Sequence, residues 1–96
     1  MLLIINPETL SLKNIFSCKS RVNIIEALAR NGELNISKII KLTKLNHATV
    51  ILHLKFLKSI NLVQEKDFGR IRIFRFKEEE NVANYIKKLI KLIEDK

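Results

Sequence analysis

The chain has no tryptophan, one cysteine, one proline and two glycines in 96 residues. A single thiol, Cys18, cannot close a disulfide within the chain, which excludes the stapled frameworks of small secreted domains. The expectation for Cys18 is a small buried thiol, with a subunit-bridging disulfide or a redox-sensing thiol as alternatives. So little Gly and Pro leaves no linker, low-complexity run or internal repeat, and the expectation is one domain spanning residues 1–96. No apolar run approaches the ~20 residues that cross a bilayer. The start, MLLIINPE, lacks the basic segment of a signal peptide. Residence in the cytoplasm, on the nucleoid, is expected. Also lacking are a Gly-rich phosphate loop, a nucleophile elbow and a carboxylate pair in apolar surroundings. His47 and His53 stand six apart with only Cys18 as a further soft ligand, a poor set for zinc. The chain reads as a non-enzyme, with no cofactor and no metal expected.

What is present is helical periodicity. Asn6-Pro7-Glu8 has the cap, proline and acid of a helix start, predicting a helix from about Pro7 to Phe16 with Leu12, Ile15 and Phe16 on one face. Ser20 can cap a second helix to about Arg30, stopped by Asn31-Gly32. Glu33 to Asn35 is a short link able to form a small edge strand. Ser37 can cap a short helix to about Thr43. Lys44-Leu45-Asn46 then makes a turn, with Leu45 plugging the angle and Asn46 capping a longer helix from His47 to Ile60. Asn61 stands where a left-handed residue is wanted. Leu62 to Lys66 and Arg70 to Phe76 read as strands around Asp67-Phe68-Gly69. Glu78-Glu79-Glu80 opens a last helix, with Lys87, Lys88 and Lys91 towards its end complementing the helix dipole.

Two helices across a tight polar turn, followed by a hairpin, form a helix-turn-helix (about 37–60) with a wing (about 62–76), a device for placing a helix in the DNA major groove. The fold class is therefore α+β, mainly α with a small β-hairpin wing. Charge agrees: residues 36–77 carry ten Lys or Arg against Glu65 and Asp67, a surplus equal to the +8 of the whole chain. Such a field is a phosphate-binding footprint.

At ~100° per residue, Val50, Leu54 and Leu57 form the core face of the longer helix. Ala48, Leu52, Lys55 and Ser59 lie opposite, and His47, Thr49 and Ile51 flank the half that enters a groove. That face is unusually apolar. Ile51 and Leu52 can touch thymine methyls but cannot form bidentate base pairings. They can equally pack against the first helix or another protein. His53 is expected beside the core with a local hydrogen bond. Strand alternation puts Arg70 and Arg72 on one face of the wing, suited to a minor groove or its phosphates. Lys38, Lys41, Lys44 and Lys58 are phosphate candidates. In the last helix (about 80–95), Val82, Ile86, Leu89 and Ile93 form a seam for a partner helix, widened by Tyr85, Ile90 and Leu92. With Leu12 and Phe16 they would join two subunits, because a two-fold dimer pairs first and last helices.

With these residues in place, the chain resembles the arsenical-repressor (ArsR-type) winged-helix regulators over roughly residues 17–77. The sharpest part is Asn46-His47-Ala48-Thr49-Val50-Ile51-Leu52-His53-Leu54-Lys55-Phe56-Leu57-Lys58, which is similar to the family's recognition helix in its Thr-Val and His-Leu-Lys spacing. Asn61-Leu62-Val63 resembles the Gly-Leu-Val that leads into the wing, and Gly69-Arg70 the wing return. The resemblance implies a dimeric transcription factor. The family usually has polar residues, often Ser then Arg or His, where this chain has Ile51 and Leu52. Its metal sites, Cys-x-Cys-type on the helix before the turn or Asp/His on the last helix, lack their Cys and His here.

The sequence thus points to a homodimeric, sequence-specific transcriptional regulator of the repressor type, with double-stranded DNA as partner. An architectural, chromatin-like DNA-coating protein is the main alternative. A winged-helix module that docks on protein through Ile51 and Leu52 is a third.

Overall fold

The computed structural model describes residues 11–95. The start expected at Asn6-Pro7 lies outside the described residues. α1 spans Leu12–Ile15, with Ser11 Oγ accepting the Asn14 amide at 3.1 Å. α2 (Lys19–Asn31) ends on Gly32, whose φ of 81° would strain any residue bearing a Cβ. Cys18 occupies the N-cap of α2 without a side-chain capping bond, so Ser20, the cap expected from sequence, is the second residue of the helix. The thiol is exposed, contrary to the buried site expected for it.

β1 (Glu33–Asn35) leads directly into α3 (Ile36–Thr43), and the cap is Asn35, not Ser37: its Oδ1 accepts the Lys38 amide at 2.8 Å. Lys44 turns the chain with φ 60°, and Leu45 packs against the core between the helices. α4 (His47–Ser59) starts on Asn46, whose Oδ1 accepts the Thr49 amide at 2.8 Å. Its end is a Schellman closure. Asn61 takes φ 67° while its amide reaches the Lys58 carbonyl (3.1 Å) and the Leu62 amide reaches that of Leu57 (3.0 Å). Leu57 and Leu62 are both buried there.

β2 (Val63–Phe68) and β3 (Ile71–Phe76) form the wing, and β1 adds to the far side of β3, giving an antiparallel sheet of order β1-β3-β2. Phe68 pairs with Ile71, so the turn is the two residues Gly69-Arg70 and not Asp67-Phe68-Gly69. α5 spans Asn81–Glu94. Of the acids expected to open it, Glu80 is its N-cap, without a side-chain capping bond, while Glu78 pairs with Lys87 of α5 (2.8 Å) and Glu79 with Arg75 of β3 (2.8 Å).

The core is aliphatic, with Ile24, Ile25 and Leu28 of α2 at its centre, Ile39 from α3, and Val50, Leu54 and Leu57 from α4. Phe74 and Phe76 close it on the sheet side, and Ala83 and Ile86 of α5 cover α2. This packing fixes what α4 and the wing present outward.

Candidate nucleic-acid interface

Burying Val50, Leu54 and Leu57 forces the opposite face of α4 into solvent. His47, Ala48, Leu52 and Lys55 are exposed, and Thr49 and Ile51 are half-buried. Leu52 stands out, with 64% of its surface accessible. Asn46 spends its side-chain oxygen on the cap of α4, which orients that helix at its leading end.

The starts of α3 and α4 and the tip of the wing enclose a hollow of about 350 Å³. Ser37, His47, Arg70 and Arg72 line it, with Asn35, Ile36, Ile40 and Ile71. Residues from three segments separated in sequence thus meet on one side of the molecule.

The cations divide into two groups. Lys58 and Arg72 both bond Glu65, at 2.7 Å and 2.5 Å. The double donation holds that carboxyl down at a pKa of about 2, with Arg72 the larger cause. Arg72 also lies over the Phe74 ring, 5.6 Å from its centroid. Lys66 pairs with Glu33 at 2.6 Å and Lys77 bonds Asn61 at 2.6 Å. By contrast, Lys38, Lys41, Lys44, Lys55 and Arg70 are exposed and have no acidic partner among the described residues. Arg70 and Arg72, grouped by strand alternation, therefore differ: Arg70 is in the turn, where alternation does not apply, and Arg72 is tied down. Lys58 likewise spends its charge on Glu65.

Behind α4, His53 is buried at 7% exposure. Its Nδ1 accepts from Arg21 Nε at 3.2 Å, and its Nε2 is 3.8 Å from the Cys18 sulfur. Its partners come from the start of α2, not from its own helix as expected. Burial first, and the Arg21 charge second, depress the imidazole pKa and favour the neutral ring. Arg21 also stacks on Phe56, 3.9 Å from the ring centroid, and donates to the Asn14 carbonyl. This cluster braces α4 against α1 and α2 from the side away from the hollow.

The expected partner-helix residues also separate. Ile86 packs into the chain's own core at 8% exposure, with Ile90 and Phe16 against that core. Val82, Tyr85, Leu89, Leu92 and Ile93 face outward, from 42% to 71% exposed, and Leu12 is 74% exposed. The outward stripe therefore runs 82, 85, 89, 92, a spacing of three and four that passes beside Ile86, not through it.

Sequence reading missed the Glu65 clamp, the His53–Arg21 contact and the apolar wing tip, where Phe68 is 62% and Ile71 54% exposed. The dipeptides flanking the turn, Asp67-Phe68 and Ile71-Arg72, carried the last signal. Placing Phe68 inside the turn concealed it.

Among the described residues there is no group of three His, Cys, Asp or Glu able to hold a metal ion, and no helix is long and apolar enough to cross a membrane.

Residues 18–65 match the model of the bacterial regulatory proteins of the arsR family. Among solved structures, HlyU from Vibrio cholerae N16961 superposes with a TM-score of 0.75 at 15% identity, covering 88% of this chain and 89% of that one. The transcriptional repressor PagR of Bacillus anthracis gives 0.68 at 24% identity, covering 82% and 86%. The AntR antimony-specific transcriptional repressor gives 0.73 at 20% identity, covering 92% and 78%. No curated protein matches the chain.

Proposed function

Because the chain belongs to the arsR family of bacterial regulatory proteins and is a DNA-binding regulator without enzymatic activity, we propose that it is a homodimeric, sequence-specific repressor. The observation that carries this reading is the partition of cations. Lys38, Lys44, Lys55 and Arg70 are exposed and without acidic partners among the described residues, while Lys58 and Arg72 are paired with Glu65, Lys66 with Glu33 and Arg75 with Glu79. Exposed Lys and Arg without acidic partners are what a phosphate backbone recruits. In this reading α4 enters the major groove with His47, Ala48, Thr49, Ile51, Leu52 and Lys55, while Asn46 sets its leading end. Lys38 and Lys44 hold phosphates on either side of α3. Arg70 reaches from the wing to the minor groove, and Arg72 positions the wing through Glu65.

The dimer is built on α5. Val82, Tyr85, Leu89 and Ile93 would meet their two-fold mates, with Leu12 and Phe16 at the edge. This pairing would set two copies of α4 about one helical turn apart on a nearly palindromic site. Repression would follow from occlusion of a promoter; PagR and AntR, which share the fold, are transcriptional repressors. In this reading the signal is not a metal at the family's usual sites on α3 or α5, since neither Ile36–Thr43 nor Asn81–Glu94 carries their Cys or His. The protein would work in the cytoplasm, on the nucleoid.

One observation favours an architectural role instead: Leu52, at the centre of the reading helix, is 64% exposed and cannot donate to a base edge. Footprinting on the chain's own upstream DNA and on a random duplex, at two salt concentrations, separates the readings. A short two-fold site that persists at the higher salt supports the repressor, and uniform protection fading on both duplexes supports the architectural role. Arg70→Ala and Lys55→Ala should each weaken binding and lower the slope of log affinity against log salt by about one. Unchanged slopes would remove those residues from the backbone contacts.

A further inference from the structure

The wing ends in an arrangement that backbone charge contacts leave unexplained. Phe68 and Ile71 are directly opposed across the hairpin, on either side of Gly69-Arg70, and both are more than half exposed. Gly69 takes φ 66° with nothing within 4 Å of where a Cβ would stand, so the turn is open on that side. The core-facing side chains of the wing are Val63, Phe74 and Phe76. Alternation places Phe68 and Ile71 on the other face, with Lys66, while Asp67 sits across from Arg72. A large aromatic and a branched aliphatic side chain are thus held in water around one exposed arginine that has no acidic partner among the described residues.

We propose that the wing tip enters the DNA minor groove with Phe68 and Ile71 as an apolar wedge that partly unstacks a base step and bends the duplex, while Arg70 anchors the tip by charge. The inference rests on the DNA-binding reading of the preceding subsection. Three features select DNA as the occupant. The apolar surface is two side chains wide, too small for a stable protein interface of about 800 Å² per partner. It surrounds a cation, as a polyanion requires. The tip is also small, a two-residue turn between Phe68 and Ile71, so single side chains can reach from it into a groove about 6 Å wide. Apolar side chains inserted from that groove kink the duplex towards the major groove, the side α4 would occupy.

The test uses the full chain on the duplex it protects best. Duplex bending is read by energy transfer between the DNA ends, and unstacking by the fluorescence of 2-aminopurine placed beneath the wing. The wild-type chain should bend the duplex by about 20–90° and brighten the probe. The double variant Phe68→Ser with Ile71→Ser should bind about tenfold more weakly, lose the bend and the brightening, and keep the salt slope, since no charge is removed. Thermal melting by circular dichroism checks that the double variant folds, and the wild-type bend stands as evidence without it. A straight, unbrightened duplex under the bound wild-type chain overturns the wedge and leaves DNA binding intact. So does a folded double variant that bends DNA as the wild type does, or one that loses only self-association, which would make a second copy the occupant. Failure of the wild-type chain to retain any duplex removes the DNA-binding reading itself, and the wedge with it.

Discussion

Glu65 shows how one acid among many bases can organise them. It lies at the joint between α4 and the wing, and it accepts from Lys58 of one and Arg72 of the other. Its depressed pKa means that the ionised form is favoured by folding. The unfolded carboxyl takes up its proton near 4.5 and the folded one near 2. The stabilisation is therefore complete above about pH 4.5 and is lost as the pH falls from there towards 2. Its two partners are each roughly two-fifths exposed, so solvent screens much of the gain. Glu65→Gln should cost about 1 kcal/mol in urea unfolding at neutral pH. It should also flatten the acid limb of the stability profile between pH 4.5 and 2, the window set by the two pKa values. A variant whose acid limb matches the wild type would show that the clamp is absent in solution.

Element boundaries depend on capping, and here the legible and the hidden separate cleanly. Asn46 was legible because Lys44-Leu45-Asn46 is the one polar break between two apolar periodic segments, and a cap must stand there. Asn46→Ala should cost about 1 kcal/mol of stability and weaken DNA binding, because it leaves the Thr49 amide without its partner at the end of α4 that would face the groove in the proposed complex. Melting and binding measured on the same preparation check both effects; a loss of stability alone would dissociate the cap from the interface. The start of α3 was not legible. Asn35 and Ser37 are comparable as caps, and Asn35 wins because it is also the last residue of β1, paired with Ile73, which already holds it extended. That pairing joins segments nearly forty residues apart and leaves no local trace. The wing was legible as a hairpin from its alternation and its glycine, but its register was not. Once Phe68 pairs with Ile71, Arg70 moves into the turn and Arg72 onto the face of Glu65, so two arginines that look equivalent in sequence do different work.

At the scale of the whole molecule, the two amphipathic surfaces of α5 divide its roles. Ala83 and Ile86 fasten the helix to α2, and Arg30 pairs with Glu94 at its far end. Val82, Tyr85, Leu89 and Leu92 remain outside. If these residues join the proposed dimer, Leu89→Glu should turn it into a folded monomer and weaken binding to a two-fold DNA site, since the two half-sites would no longer be held by one particle. Sedimentation of the variant, with its helical content, checks this; a persistent dimer would move the subunit contact away from α5. The amphipathic spacing of α5 was legible, but not which of its apolar residues the chain itself buries, because Ile86 and Leu89 differ only in what α2 happens to cover.

The sheet carries a further consequence. β2 lies at its border, with no further strand paired to it among the described residues. That border reads Gln64-Glu65-Lys66-Asp67, four polar residues in succession with three charges of mixed sign. The opposite border is β1, only three residues long. A neighbouring copy seeking to extend the sheet would meet either a strip too short to hold it or charges it must strip of water. The molecule can therefore crowd along a polymer at high local density, apolar wing tip included, without its sheets fusing into fibres.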